Sequence, residues 1–193
     1  LEEAGRFLSR AETILARQPT PPVADLARTL NLLGALAYKQ GDLKAAEARY
    51  SRSLELLRGE AQPPPREVAL ALNNLAILAW RRADFTTAEA RYREALVVNE
   101  ELLGANHPHL AAQLNNMGIL ARDLGNFAES ERLHRRALAI AEKALGPAHP
   151  DVAAILSSLA RLYGRQGRVE EGIALLERAL AICRATYGGK HAE

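Results

Sequence analysis

Apolar residues recur along this chain at intervals of three and four with polar residues between them, and the pattern restarts several times. Leu72, Leu75, Ala76 and Ala79 fall on one face of a helix predicted from Arg66 to Arg82. Ala88, Tyr92, Ala95 and Leu96 fall on the inner face of a second, predicted from Thr86 to Leu103. Ala83-Asp84 turns the chain between them. Gly104 ends the second helix, as glycine commonly does one step past a helix. Three landmarks then return every 42 residues: Asp42-Leu43, Asp84-Phe85, Asn126-Phe127 and Arg168-Val169; His107-Pro108, His149-Pro150 and His191-Ala192; and Leu54, Leu96, Leu138 and Leu180. A fixed period of this length predicts a tandem array of helix pairs.

The register divides the chain into one array over 1–193, with repeats at 24–65, 66–107, 108–149 and 150–193. Residues 1–18 form the second helix of a truncated repeat, because Leu1, Ala4, Leu8 and Ala11 lie 42 before Leu43, Ala46, Tyr50 and Ser53. Pro63, Pro64 and Pro65 are expected to hold their loop extended and to exclude helix there. Pro108 and Pro150 suit the first turn of a helix, where a missing N–H costs nothing, and Asp151 complements the dipole of the helix it opens.

Composition narrows the function classes. The chain is 48% hydrophobic and 25% charged, so it can build a core and is not a disordered tail. A net charge of +2 excludes a strongly basic nucleic-acid protein, and no pattern of paired base-reading residues supports RNA binding by helical repeats. The single cysteine, Cys183, cannot close an intrachain disulfide or build a cysteine zinc site. It replaces Ala141 in the register and is expected to be a buried small apolar residue. No apolar run approaches the roughly 18–20 residues of a membrane span, and Glu2, Glu3 and Arg6 exclude a signal peptide at the start. A chain that opens on Leu1 is expected to be part of a longer protein, with a cytoplasmic location.

The repeated residues resemble the tetratricopeptide repeat pattern, in which W-x2-L-G-x2-Y is followed by A-x3-F. The first repeat has Leu30, Leu33, Gly34, Ala37, Ala46 and Tyr50, and the second has Leu72, Leu75, Ala76, Ala79, Ala88 and Tyr92. The third has Leu114, Met117, Gly118, Ala121, Ser130 and His134, and the fourth has Leu156, Leu159, Ala160, Tyr163, Gly172 and Leu176. The pairs Asn73-Asn74 and Asn115-Asn116, the Ala88–Leu96 run and the His-Pro loops resemble the 42-residue subtype of kinesin light chains and bacterial relatives. The resemblance implies an all-α, right-handed superhelical solenoid of helix-turn-helix repeats. It implies a concave groove lined by the first helix of each repeat.

The groove stripe would then carry Arg28, Asn31, Tyr38 and Lys39; Asn73, Asn74, Ile77, Trp80 and Arg81; Asn115, Asn116, Ile119, Arg122 and Asp123; and Ser157, Arg161 and Arg165. Asparagine is a poor helix-interior residue, yet Asn31, Asn73 and Asn115 recur at the repeat period. Their amides offer donors and an acceptor that could grip the backbone of an extended peptide, as the resemblance implies, or bond neighbouring helices instead. The excess of arginine and lysine on the stripe points to an acidic peptide, unless these side chains pair with carboxylates elsewhere in the chain. Ile77, Ile119 and Trp80 add apolar contacts.

Histidines at 107, 149 and 191 suggest one capping residue per loop rather than a metal centre, because equivalent atoms of stacked repeats lie on the order of 10 Å apart. His134 takes an aromatic's place in the core. No phosphate loop, nucleophile elbow or zinc-protease motif occurs, so no enzyme activity, cofactor or metal is expected. The reading is a protein-interaction scaffold for a protein or peptide partner. The alternative is self-association through apolar array ends, or a regulatory repeat domain of a larger protein.

Overall fold

A computed structural model describes residues 2–187, and among them every regular element is a helix. The landmarks at Leu1 and His191-Ala192 lie outside the described residues. The helices are α1 (Glu2–Ala16), α2 (Val23–Lys39), α3 (Leu43–Arg58), α4 (Pro65–Arg81), α5 (Phe85–Leu103), α6 (His109–Asp123), α7 (Phe127–Leu145), α8 (Pro150–Arg165) and α9 (Val169–Tyr187). Contacts divide the chain into two units, residues 1–102 and 103–193.

Each helix pair closes through the same turn. Gly41, Ala83, Gly125 and Gly167 take φ of 84°, 60°, 78° and 75°. That left-handed kink lets the next amide return to the fifth carbonyl back: Asp42 N to Ala37 O at 3.0 Å, Asp84 N to Ala79 O at 2.9 Å, Asn126 N to Ala121 O at 2.8 Å, and Arg168 N to Tyr163 O at 3.0 Å. In the first three turns the same residue then caps the following helix. Asp42 accepts from Ala45 N at 2.9 Å, Asp84 from Thr87 N at 3.2 Å and Asn126 from Glu129 N at 3.3 Å.

Arginine has no acceptor, so Arg168 cannot cap in this way. It lies instead over the Tyr163 ring at 3.7 Å and donates to Glu131 at 2.8 Å and to Glu171 at 2.7 and 2.8 Å. Tyr163 donates to the same Glu131 at 2.9 Å. Burial pulls the Glu131 carboxyl up, but hydrogen bonds from Tyr163, Arg135 and Arg168 outweigh it and hold its pKa below the ordinary value.

In the first unit, Ala37, Ala46, Tyr50 and Leu78 form one cluster, and Leu54, Ala71, Leu72 and Ala95 another. The Tyr50 ring fills the space a side chain would need at Gly34, whose Cβ would come within 2.5 Å of it. The second unit repeats the device with His134 against Gly118 at 2.7 Å. Ser53 and Ser130 close their hydroxyls onto backbone carbonyls, Ala27 O at 3.0 Å and Gly118 O at 2.7 Å. His134 is fully buried, as the register requires, and both ring nitrogens lack a hydrogen-bond partner. Burial and the nearby Arg122 charge push its pKa down to about 4.

Two expectations change. Pro65 does not exclude helix: it opens α4 at the first position, while Pro64 ahead of it is extended. Cys183 is exposed, whereas its counterpart Ala141 is buried on α7, against which α8 packs. Register fixes the face of a residue, and burial also needs a helix over that face. Val169, Ile173, Leu176 and Leu180 line the same side of α9 and are also exposed.

Candidate functional site

The first helix of each repeat carries the asparagines, and the amides differ in setting. Asn31 on α2 is only 2% exposed, and neither its Oδ1 nor its Nδ2 has a hydrogen-bond partner. Asn73 on α4 and Asn115 on α6 are half-buried, each with a buried Oδ1 that has no partner among the described residues. An orphaned amide oxygen of this kind costs about 1–3 kcal/mol, and a donor arriving from outside would recover it once the half-buried amide turns that oxygen outward. The alternative in which these oxygens tie neighbouring helices together has no such bond here.

In the first unit the two ends of the face are distinct. At the N-terminal end Arg28 donates to Glu67 at 2.9 Å across α2 and α4, and meets Asp25 at 3.4 Å. At the C-terminal end the Arg81 guanidinium lies 5.3 Å from the Tyr38 ring centroid and donates to its hydroxyl at 3.1 Å. Lys39 is exposed beside Tyr38 in sequence. Asn74, Ile77 and Trp80 are half-buried on α4.

In the second unit a cleft of about 460 Å³ opens between α6 and α8, lined by Pro108, His109, Ala111, Ala112, Asn115, Asn116, Leu145, Asp151, Ala154 and Ile155. The loops at its rim are fixed by the His-Pro pairs. His107 Nδ1 accepts from His109 N at 3.3 Å, and His149 Nδ1 accepts from Asp151 N at 3.2 Å. The His107 and His109 rings stack with centroids 5.2 Å apart. Ile119 is half-buried and Arg161 exposed. No described residue pairs with Arg161 or Arg165.

The expected basic stripe is thinner than composition suggested. Arg122 is buried, with Nε and Nη2 both on Asp123 Oδ1 at 3.1 and 2.8 Å, so its charge is withdrawn from the surface. Arg28 is neutralised by Glu67 and Asp25. What is left sits near the carboxyl ends of the repeat-opening helices, at Lys39, Arg81, Arg161 and Arg165, where cations complement the helix dipole. Sequence reasoning passed over the opposite end. Asp25, Glu67, His109 and Asp151 occur at the same 42-residue spacing, a signal available in the chain itself. Among the described residues no group of three His, Cys, Asp or Glu is arranged to hold a metal ion, and no helix is long and apolar enough to cross a membrane.

A profile of the tetratricopeptide repeat matches residues 67–143, 110–171 and 151–193. Among solved structures, BtubC (BKLC) from P. vanneervenii is 25% identical over 95% of this chain and 72% of its own, with a TM-score of 0.79. A kinesin-light-chain-type protein of Podosopora anserina with nearly identical TPR-like repeats is 20% identical, over 97% of this chain and 88% of its own, with a TM-score of 0.75. The apo form of RapI has the same fold at 17% identity and a TM-score of 0.78, with 94% of this chain and 63% of that one covered. No curated protein sequence matches the chain.

Proposed function

The chain belongs to the tetratricopeptide repeat family, in its kinesin-light-chain-like form, and from that premise we propose that it binds an extended segment of a protein partner along the repeat-opening helices. The family fold is a protein–protein interaction module and generally a non-enzymatic scaffold. The observation that carries the finer reading is an unpartnered amide oxygen in each unit, Asn73 Oδ1 on α4 in the first and Asn115 Oδ1 on α6 in the second. Backbone N–H groups of an extended segment are donors whatever its side chains, so such an oxygen can hold many sequences. Apolar side chains of the segment would meet Ile77, Trp80 and Ile119. Acidic ones would seat toward Lys39, Arg81, Arg161 and Arg165. Asn31 lies below the surface and is left out of the contact set.

Random-peptide display on the protein tests this, with Asn73→Ala and Asn115→Ala together as the counter-selection. Peptides should be enriched on the wild type and lost on the double variant, whose helical circular dichroism and melting stay close to wild type. Enriched peptides that bind the double variant equally well would remove the asparagines from the site.

A second reading has its own observation. The exposed Val169, Ile173, Leu176 and Leu180 make an apolar stripe on α9, which favours self-association. Light scattering over a concentration series decides it, and a monomer throughout would eliminate that reading.

A further inference from the structure

The α6/α8 cleft has an internal counterpart 84 residues earlier in the chain. In that register Arg28 stands where Ala112 is, Leu70 where Ala154 is, and Glu67 where Asp151 is. In the first unit the Arg28 guanidinium bridges to Glu67 at 2.9 Å. In the second unit alanines leave the corresponding space open, as the cleft of about 460 Å³. Asp151 keeps the carboxylate but faces no arginine or lysine among the described residues. Its one charged-type neighbour is His149 Nδ1 at 3.6 Å, and the carboxylate is 70% exposed. Among the described residues no arginine or lysine lines the cleft.

We infer that this cleft is a pocket for a basic side chain of the bound segment, which takes the place that Arg28 fills from within the chain in the first unit. The chemistry is complementary at both ends of such a side chain. Its aliphatic stem lies along Ala112, Ala154 and Ile155, as long basic side chains cover apolar surface elsewhere. Its charged head meets Asp151, and the half-buried Asn115 amide, which lines the cleft, offers its unpartnered Oδ1 to the head or to the adjacent backbone N–H by turning it outward. An acidic side chain would find no arginine or lysine among the described residues there. The occupant's being part of a protein segment rests on the function proposed above, while the pocket's preference for a cation stands on its own geometry.

The test uses the isolated side chain, so it does not depend on any peptide. The whole protein, labelled at alanine and isoleucine methyl groups, is titrated with Nα-acetyl-lysine amide and with Nα-acetyl-norleucine amide, which has the stem without the ammonium. The lysine compound should shift the methyl signals of Ala112, Ala154 and Ile155 and should bind several-fold more tightly than norleucine. Asp151→Asn should weaken it about threefold, the scale of an exposed ion pair. Ala112→Arg with Ala154→Leu, which copies the first unit, should abolish the response. Both alanines are exposed, so that variant is expected to fold, and circular dichroism checks it.

Norleucine binding as tightly as lysine, no shift with either compound, or a response unchanged by Asp151→Asn would each overturn the pocket. Loss of the pocket would leave the peptide reading untouched if display still enriches peptides that depend on Asn73 and Asn115. A lysine response without any enriched peptide would refute that reading and keep the pocket.

Discussion

Acid should weaken the second unit through one buried side chain. His134 is fully buried and has no hydrogen-bond partner on either ring nitrogen, and desolvation with the nearby Arg122 charge lowers its pKa to about 4. In the unfolded chain a histidine titrates near 6.5. Above that value both states hold the ring neutral and it adds no pH dependence. Below it the unfolded chain takes up a proton that the folded chain refuses, so stability falls from about pH 6.5 down to about pH 4 and then levels off. At pH ~4.5 the loss from this group works out at about 2.5 kcal/mol. The control is His134→Tyr, because Tyr50 lies against Gly34 in the same register as His134 against Gly118. Urea unfolding followed by circular dichroism at pH ~7 and pH ~4.5 gives the two stability differences. Wild type should lose about 2.5 kcal/mol more than the variant between these conditions. Equal losses in the two proteins would refute the reasoning, because the acid response would then belong to carboxylates that both share.

Two further substitutions test the local geometry. Ala83 holds φ of 60° where the other three turns have glycine, and the left-handed conformation costs an alanine roughly 1–2 kcal/mol. Ala83→Gly should therefore stabilise the protein by about 0.5–1 kcal/mol after the extra chain entropy of glycine, seen as a rise of about 1–4 °C in Tm. Gly34→Ala puts a methyl 2.5 Å from the Tyr50 ring and should cost about 1–3 kcal/mol in urea unfolding. A neutral result there would refute the close approach of α2 and α3 at Gly34 as a source of stability; the next repeat has Ala76 at that register.

How much of the site could be foreseen follows from the range of the forces that build it. Asn73 and Asn115 stood out because a polar residue repeated inside a helix pattern is a local anomaly. The fate of each charge was not legible in the same way. Arg122 and Arg81 both stand in the last turn of a repeat-opening helix, yet one is buried against Asp123 and the other lies by the Tyr38 ring. Charge pairing depends on which side chains meet across helices, and the 42-residue period does not specify that. Asn31 shows the same limit: its identity matches Asn115, while Arg28 and Leu32 beside it replace Ala112 and Asn116, and it ends below the surface.

The sequence by itself determined the helices, their pairing order and their turns. Those rest on contacts within a few residues: the three-and-four spacing of apolar positions, the glycine or alanine that turns left-handed, and the cap that follows it. It also determined that His134 would sit in the core, because the small-residue and aromatic positions repeat with the period. Only the tertiary structure decided which faces are covered. Cys183 is open where Ala141 is buried, because burial depends on a second helix arriving over that face. The same reason separates the two units, since in the first the space between α2 and α4 is spanned by the Arg28–Glu67 bridge and in the second the space between α6 and α8 is left as a cleft.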